Sequence, residues 1–139
     1  MNVPENLKAA AIQATTQAYS PYSKIKVGAA LIDHDGNIFT GANIENASYG
    51  LTICAERVAL ANALMKWQDR SRPLFSKMVI TNSTGTPMPP CGACRQMLLE
   101  MNENAEIFFE TAGGWTSALA KDLLPGAFYM REDLAEENG

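Results

Sequence analysis

The sequence predicts an α/β layered fold, and three observations carry that reading. Short apolar strands alternate with amphipathic helices along the chain, which is the pattern of sheets covered by helices. Hydrophobic residues make up 47% of the 139 positions, enough for a core in one domain spanning 1–139. Two helices start at cysteine-bearing motifs, Cys54-Ala55-Glu56 and Pro90-Cys91-Gly92-Ala93-Cys94, and one sheet is expected to support both.

The elements follow in order. From Pro4 to Tyr19, Leu7, Ala11, Ala14 and Ala18 recur at helical spacing, and Ser20-Pro21 stops the helix because proline disfavours helical geometry before it. Residues 26–32 and 37–44 are short apolar strands joined by Asp33-His34-Asp35-Gly36; Asp-Gly supplies the freedom of a tight turn, so a β-hairpin is expected. His34 belongs to that turn and is not read as a ligand. Thr52 is the expected N-cap of a second helix running to Trp67. Gln68 to Pro73 is a charged connector, Lys77 to Thr81 a third strand and Ser83 to Pro90 a Gly- and Pro-containing loop. A third helix covers Cys91 to Met101, a fourth strand Ala105 to Glu110, and a last strand begins at Trp115. Ala118 to Leu124 reads as a short helix stopped by Pro125-Gly126, followed by an acidic, peripheral tail over 131–139.

The chemistry sits in the cysteines. Three is an odd number and a poor disulfide framework, and all three lie in the two motifs. A structural zinc site normally closes with four protein ligands, whereas Cys54, Cys91 and Cys94 leave a fourth position for water. Cys91 and Cys94, three positions apart at a helix start, share a face, and the positive end of the helix favours thiolate. Glu56 is two residues from Cys54, about 200° around a regular helix, so periodicity alone does not aim it at the metal. Its length suits a proton carrier better than a ligand.

Other classes fall away. A net charge of −4 opposes the basic surface that nucleic-acid binding needs. No basic start followed by an apolar run marks an export signal, and no apolar stretch approaches about 20 residues, so the expectation is a cytoplasmic chain without membrane contact. A zinc-folded interaction module would ordinarily need a fourth protein ligand, and no fourth Cys exists. A thioredoxin-like redox protein is a third reading, because Cys-Gly-Ala-Cys could cycle through a disulfide, and tight zinc binding would dismiss it.

A three-cysteine zinc site, a glutamate that is not a ligand and a downstream PCxxC describe zinc deaminases. In the segments AYSPYSKIKVGAAL, GANIENASYGLTICAER, PCGACRQ and LLPGAF, which run in order from Ala18 to Phe128, the chain resembles the small homotetrameric cytidine deaminases. The resemblance implies a three-layer α/β/α fold around a five-stranded mixed sheet, one Zn²⁺ per subunit and a homotetramer. It implies hydrolysis of a free nucleoside in pyrimidine salvage: cytidine, with deoxycytidine, loses ammonia and becomes the uracil nucleoside. A deaminase of a modified cytosine nucleoside such as blasticidin S is the nearest alternative.

Under that resemblance Glu56 takes a proton from the attacking water and returns protons to N3 and the departing amine. Arg57 hydrogen-bonds the ligating sulfurs; read alone it is equally a surface arginine. Asn43 and Glu45 alternate onto one side and together can donate to and accept from a sugar hydroxyl, and the resemblance makes that the ribose 3′-OH. Ala55 offers a backbone N–H to the base carbonyl. The Pro90 carbonyl receives ammonia, although a rigid entry to the third helix explains that proline as well. Tyr49 and Phe128 match positions that build the pocket, partly across subunits. Ile25 departs from the family, which commonly places an aromatic in PYSxFxVGAA to pack on the pyrimidine; flat stacking is lost, which implies either base affinity lower by up to roughly tenfold or, instead, a wider base pocket.

Overall fold

The computed structural model of the chain describes residues 1–131. Five strands form one mixed sheet in the order β2-β1-β3-β4-β5, where β1 is Val27–Ile32, β2 Ile38–Ala42, β3 Lys77–Asn82, β4 Glu106–Thr111 and β5 Gly114–Leu119. The β3–β4 pair is parallel and the others antiparallel. Three α-helices cover it: α1 Glu5–Ala14, α2 Ala55–Leu64 and α3 Gly92–Met101.

Strand alternation decides which side chains meet which helices. On one face Ala29, Leu31, Met78, Ile80, Ile107 and Phe109 pack with Ala59, Leu60 and Ala63 of α2 and Leu98 of α3. On the other, Ala30, Val79 and Phe108 pack with Leu7 and Ala11 of α1. The result is the expected three-layer arrangement. Two glycines let the layers approach. A Cβ on Gly28 would stand 2.1 Å from the Ala11 carbonyl oxygen, and one on Gly41 2.5 Å from the Ala55 oxygen and 2.4 Å from the Ala59 nitrogen. Only glycine permits helix and strand backbones to come so close.

Several element ends differ from the sequence reading. The first α-helix stops at Ala14 and tightens into a 3₁₀ turn over Thr15–Gln17, short of Tyr19. The Thr15 and Thr16 hydroxyls donate back to the Ile12 and Gln13 carbonyls at 2.6 and 2.8 Å, a competition that weakens a helix end. The hairpin turn forms as expected, with Asp33 Oδ1 accepting the Asp35 and Asn37 amides and Gly36 at φ +85°. The N-cap of α2 is Cys54, not Thr52, and the helix ends at Leu64 rather than Trp67. Ala118 and Leu119 belong to β5, paired with Ile107 and Glu106, so the expected helix there is only a 3₁₀ turn over Ala120–Leu123. The expected tail, apart from Arg131, lies outside the described residues.

Candidate active site

Both ends that carry the cysteines are helix starts. Cys54 caps α2 with extended backbone, φ −72° and ψ 152°, and Cys91 caps α3 at φ −70° and ψ 168°. Cys94 follows in the first turn of α3 and is buried. The sulfurs converge: Cys54 Sγ and Cys91 Sγ are 3.9 Å apart, and all three lie within 4.8 Å of one another. A tetrahedral ion with bonds of about 2.3 Å holds its sulfurs roughly 3.8 Å apart. The donor set therefore fits Zn²⁺ with little adjustment, and three ligands leave one corner open.

Glu56 is 4% exposed and lines the same pocket as Cys54 and Cys91. The rotation argument against it applies between residues inside a helix. Cys54 stands at the cap with non-helical angles, so its side chain and that of Glu56 meet in one space. Burial, with the charge of Cys54 added, pushes the Glu56 carboxyl above its usual range. A carboxylate so placed is a ready proton acceptor.

Charge within the cluster is shared unevenly. The Cys54 thiol is pulled down to about 5, first by the hydrogen bond from Cys94, then by Arg57 and Cys91. Cys94, as the donor, is pushed up by that same bond and by burial. Arg57 donates from a terminal nitrogen to Cys54 Sγ at 3.7 Å and to the Thr52 carbonyl at 3.3 Å. The Cys54 sulfur, with Cys94, raises the guanidinium further above its usual value, and Arg57 Nε is buried with no hydrogen-bond partner among the described residues. This is an arginine turned toward the sulfurs, not a solvated one.

Two pockets meet at Thr52. The first, ≈ 210 Å³, has apolar walls from Val27, Ile53, Ile80, Met88 and Pro89 around Cys54, Ala55, Glu56, Cys91 and Asn43. The second, ≈ 410 Å³, is bounded by Tyr22, Ser23, Glu45, Asn46, Tyr49 and Thr52. Asn43 lines the first pocket and Glu45 the second, and Ile44 between them bridges Tyr19 and Ile53. Asn43 braces the chain before β1, donating to the Ile25 carbonyl and accepting from the Val27 amide, each at 2.9 Å. Glu45 Oε1 accepts the Tyr22 and Ser23 amides, and Oε2 accepts from the Ser23 hydroxyl.

The remaining residues are less concentrated. Ala55 is the first residue of α2 and fully buried, so its amide is among those that a helix start leaves without an internal acceptor. The Pro90 carbonyl accepts Arg95 Nε at 2.7 Å. Ile25 is half-buried, two residues before β1, and lines neither of the two pockets. Tyr49 and Phe128 are 85% and 68% exposed, and the Phe128 carbonyl accepts from Gln96 Nε2. Sequence reasoning missed Ser23 and Arg95, which the motifs contain, and Met88 and Pro89, which lie just before PCGACRQ; no residue chemistry singled them out.

The family model described as "Cytidine and deoxycytidylate deaminase zinc-binding region" matches residues 1–111. A cytidine deaminase of Halalkalibacterium halodurans is 46% identical over 120 residues, covering 85% of this chain and 88% of that protein. One from Sporosarcina psychrophila is 43% identical over 134 residues, 94% of each chain. Among solved structures, cytidine deaminase from Burkholderia pseudomallei superposes with a TM-score of 0.81 at 44% identity, covering 91% of this chain and all of that one. With most of the length matched at this level and the cysteine triad in the zinc-binding region, the chain belongs to the zinc-dependent cytidine and deoxycytidylate deaminase family.

Proposed function

We propose that the protein hydrolyses cytidine, and deoxycytidine as a second substrate, to the uracil nucleoside and ammonia, serving pyrimidine salvage in the cytoplasm as a homotetramer. The observation that carries the reading is a cluster of three converging sulfurs, two of whose cysteines, Cys54 and Cys91, line one apolar pocket with the buried Glu56. The relatives described above are named cytidine deaminases, so cytidine is preferred over a modified nucleoside such as blasticidin S.

Cys54, Cys91 and Cys94 would hold Zn²⁺, which would supply Lewis acidity that eases deprotonation of water. Glu56 accepts a proton from the attacking water as the C4–O bond forms. It passes that proton to N3, then takes the proton of the new C4 hydroxyl and gives it to the exocyclic amine as the C4–N bond breaks and ammonia leaves. Arg57, bonded to Cys54 Sγ, draws charge from the thiolates; three thiolates and one Zn²⁺ sum to −1, which the guanidinium offsets. The Ala55 amide orients the base carbonyl. Asn43 and Glu45 take the ribose 3′-OH, and Ile25 borders the base without a stacking ring. The Pro90 carbonyl keeps one lone pair beside its Arg95 bond with which to meet ammonia. Tyr49 and Phe128, exposed on one chain, complete the pocket of a neighbouring subunit.

Replacing Glu56 by Gln tests the central step. The variant is expected to keep one zinc per chain by metal analysis while kcat for ammonia release from cytidine falls by about 10²–10⁴. A zinc-loaded variant with near-normal turnover would remove Glu56 from the mechanism.

A further inference from the structure

The chain between the first helix and β1 is bent at Lys24, the one non-glycine residue with positive φ (+65°) among the described residues. A long side chain rarely adopts that conformation unless its surroundings over-determine it, and such positions gather at functional sites. The restraints here are specific. The Lys24 amide donates to the Ser20 carbonyl at 3.1 Å. Glu45 Oε1 accepts the Tyr22 amide at 2.9 Å and the Ser23 amide at 3.1 Å. Asn43 holds Ile25 and Val27, and Ser83 pairs with Lys26 through both backbone and hydroxyl.

Ser23 joins these restraints into one line. Its hydroxyl accepts the Ile25 amide at 3.0 Å and bonds Glu45 Oε2. The polarity is fixed by elimination. The Ile25 amide can only donate and an ionised carboxylate can only accept, so the Ser23 proton must point at Glu45. These donors, the Ser23 hydroxyl foremost, hold the Glu45 carboxyl below its usual range, so it is charged at neutral pH. An ionised carboxylate has about four lone-pair sites. The turn fills three of them, leaving about one for a hydroxyl donor from the pocket that Glu45 lines with Tyr22, Ser23, Asn46, Tyr49 and Thr52.

We propose that Ser23 is a positioning residue for sugar recognition: its hydroxyl locks the Glu45 carboxylate for one sugar hydroxyl and ties it to the backbone of Ile25, beside the base. The inference rests on the reading of Glu45 as the acceptor of the ribose 3′-OH. Without the Ser23 hydroxyl, Oε2 loses its only donor among the described residues, and the carboxylate is restrained by the two amides on Oε1 alone. Cys54, Cys91 and Glu56 line the other pocket and are untouched, so the loss belongs to binding and not to the chemical step.

The experiment compares cytidine with 3′-deoxycytidine in steady-state kinetics for the zinc-loaded wild type, Ser23→Ala and Ser23→Thr, with a thermal melt of each. Ser23→Ala is expected to raise KM for cytidine roughly tenfold, to change kcat by less than about threefold, and to leave kcat/KM for 3′-deoxycytidine unchanged. Ser23→Thr, which keeps a hydroxyl, should restore discrimination between the two. Equal losses on both substrates in Ser23→Ala would reduce Ser23 to a structural residue and overturn the proposal. If wild type and Ser23→Ala discriminate alike, Glu45 reads the sugar without Ser23 and only the present inference is lost. If the wild type itself ignores the 3′-hydroxyl, the sugar reading of Glu45 fails and takes the inference with it.

Discussion

Cys54 shows how one residue's backbone sets a site. Thr52 is the better N-cap by general preference, yet the cap falls two residues later. There the extended backbone of Cys54 releases its sulfur toward α3 while Glu56 enters the first helical turn. Three such sulfurs were legible in the spacing. The aim of Glu56 was not, because it depends on where regular helix begins. Glu45 is a second residue whose surroundings decide its chemistry, and they give a pH prediction. Its carboxyl is held below the usual range, first by the Ser23 hydroxyl and then by the Ser23 and Tyr22 amides. A group whose folded pKa is depressed stabilises the fold fully above its unfolded value, about 4.3, and loses that contribution as pH falls through the folded value. Glu45→Gln should therefore melt below wild type at pH 7, and the two midpoints should converge in acid below the usual glutamate range. Loss of zinc from the thiolates in acid affects both proteins alike, so the difference isolates Glu45. A gap that stays constant down to pH 3 would assign the effect to packing.

Helix placement is the next scale, and two glycines separate its roles. Strand period and helix period were readable from the apolar positions, and the five strands and three helices appear where the pattern puts them to within a few residues. Sheet order was not readable from residues. β1 lies between its hairpin partner β2 and the distant β3, a choice made by long-range packing and not by local propensity. Nor does a glycine in VGAAL or TGAN reveal which helix presses on it. In the structure Gly28 faces α1 through Ala11, and Gly41 faces the start of α2 through Ala55 and Ala59. Alanine at either place must push backbone, which costs about 1–3 kcal/mol, so both variants should lose stability in denaturant melts. Their effects on the metal should differ. Gly41→Ala displaces the end that carries Cys54 and Glu56, so zinc affinity, measured by chelator competition, should fall with activity. Gly28→Ala moves a helix on the opposite face, so zinc affinity should hold. Equal zinc loss in both would mean that the site follows global stability and not the seating of α2.

At the scale of the whole molecule, the surface around the second pocket is unusually apolar for an exposed one. Tyr19, Tyr22, Ile44, Tyr49, Leu51 and Ile53 are each at least 38% exposed, and they come from two short segments that the Tyr19–Ile44 bridge brings side by side. Tyr19 and Ile53 bridge to Ile44, and Tyr22 and Tyr49 share the pocket wall. Isolated exposed hydrophobics need no explanation, but a contiguous group beside a pocket marks a contact surface. The sequence gives no hint of this from periodicity, because the segment from 44 to 53 is neither regular helix nor strand apart from a short 3₁₀ turn. Within the proposed function the occupant is another copy of the chain, with Tyr49 reaching a neighbour's substrate. Leu51, 64% exposed and outside both pockets, is the position to probe. A charge there should be harmless to a monomer and costly to an association that buries it. Leu51→Asp is expected to retain secondary structure and zinc. In light scattering it should drop from a multiple of the 15.1 kDa chain toward a single copy, and kcat/KM should fall about tenfold or more. If it dissociates yet keeps full activity, each subunit carries a complete site and Tyr49 serves only its own surface. If the wild type is already a fully active monomer, the apolar face belongs to a different partner.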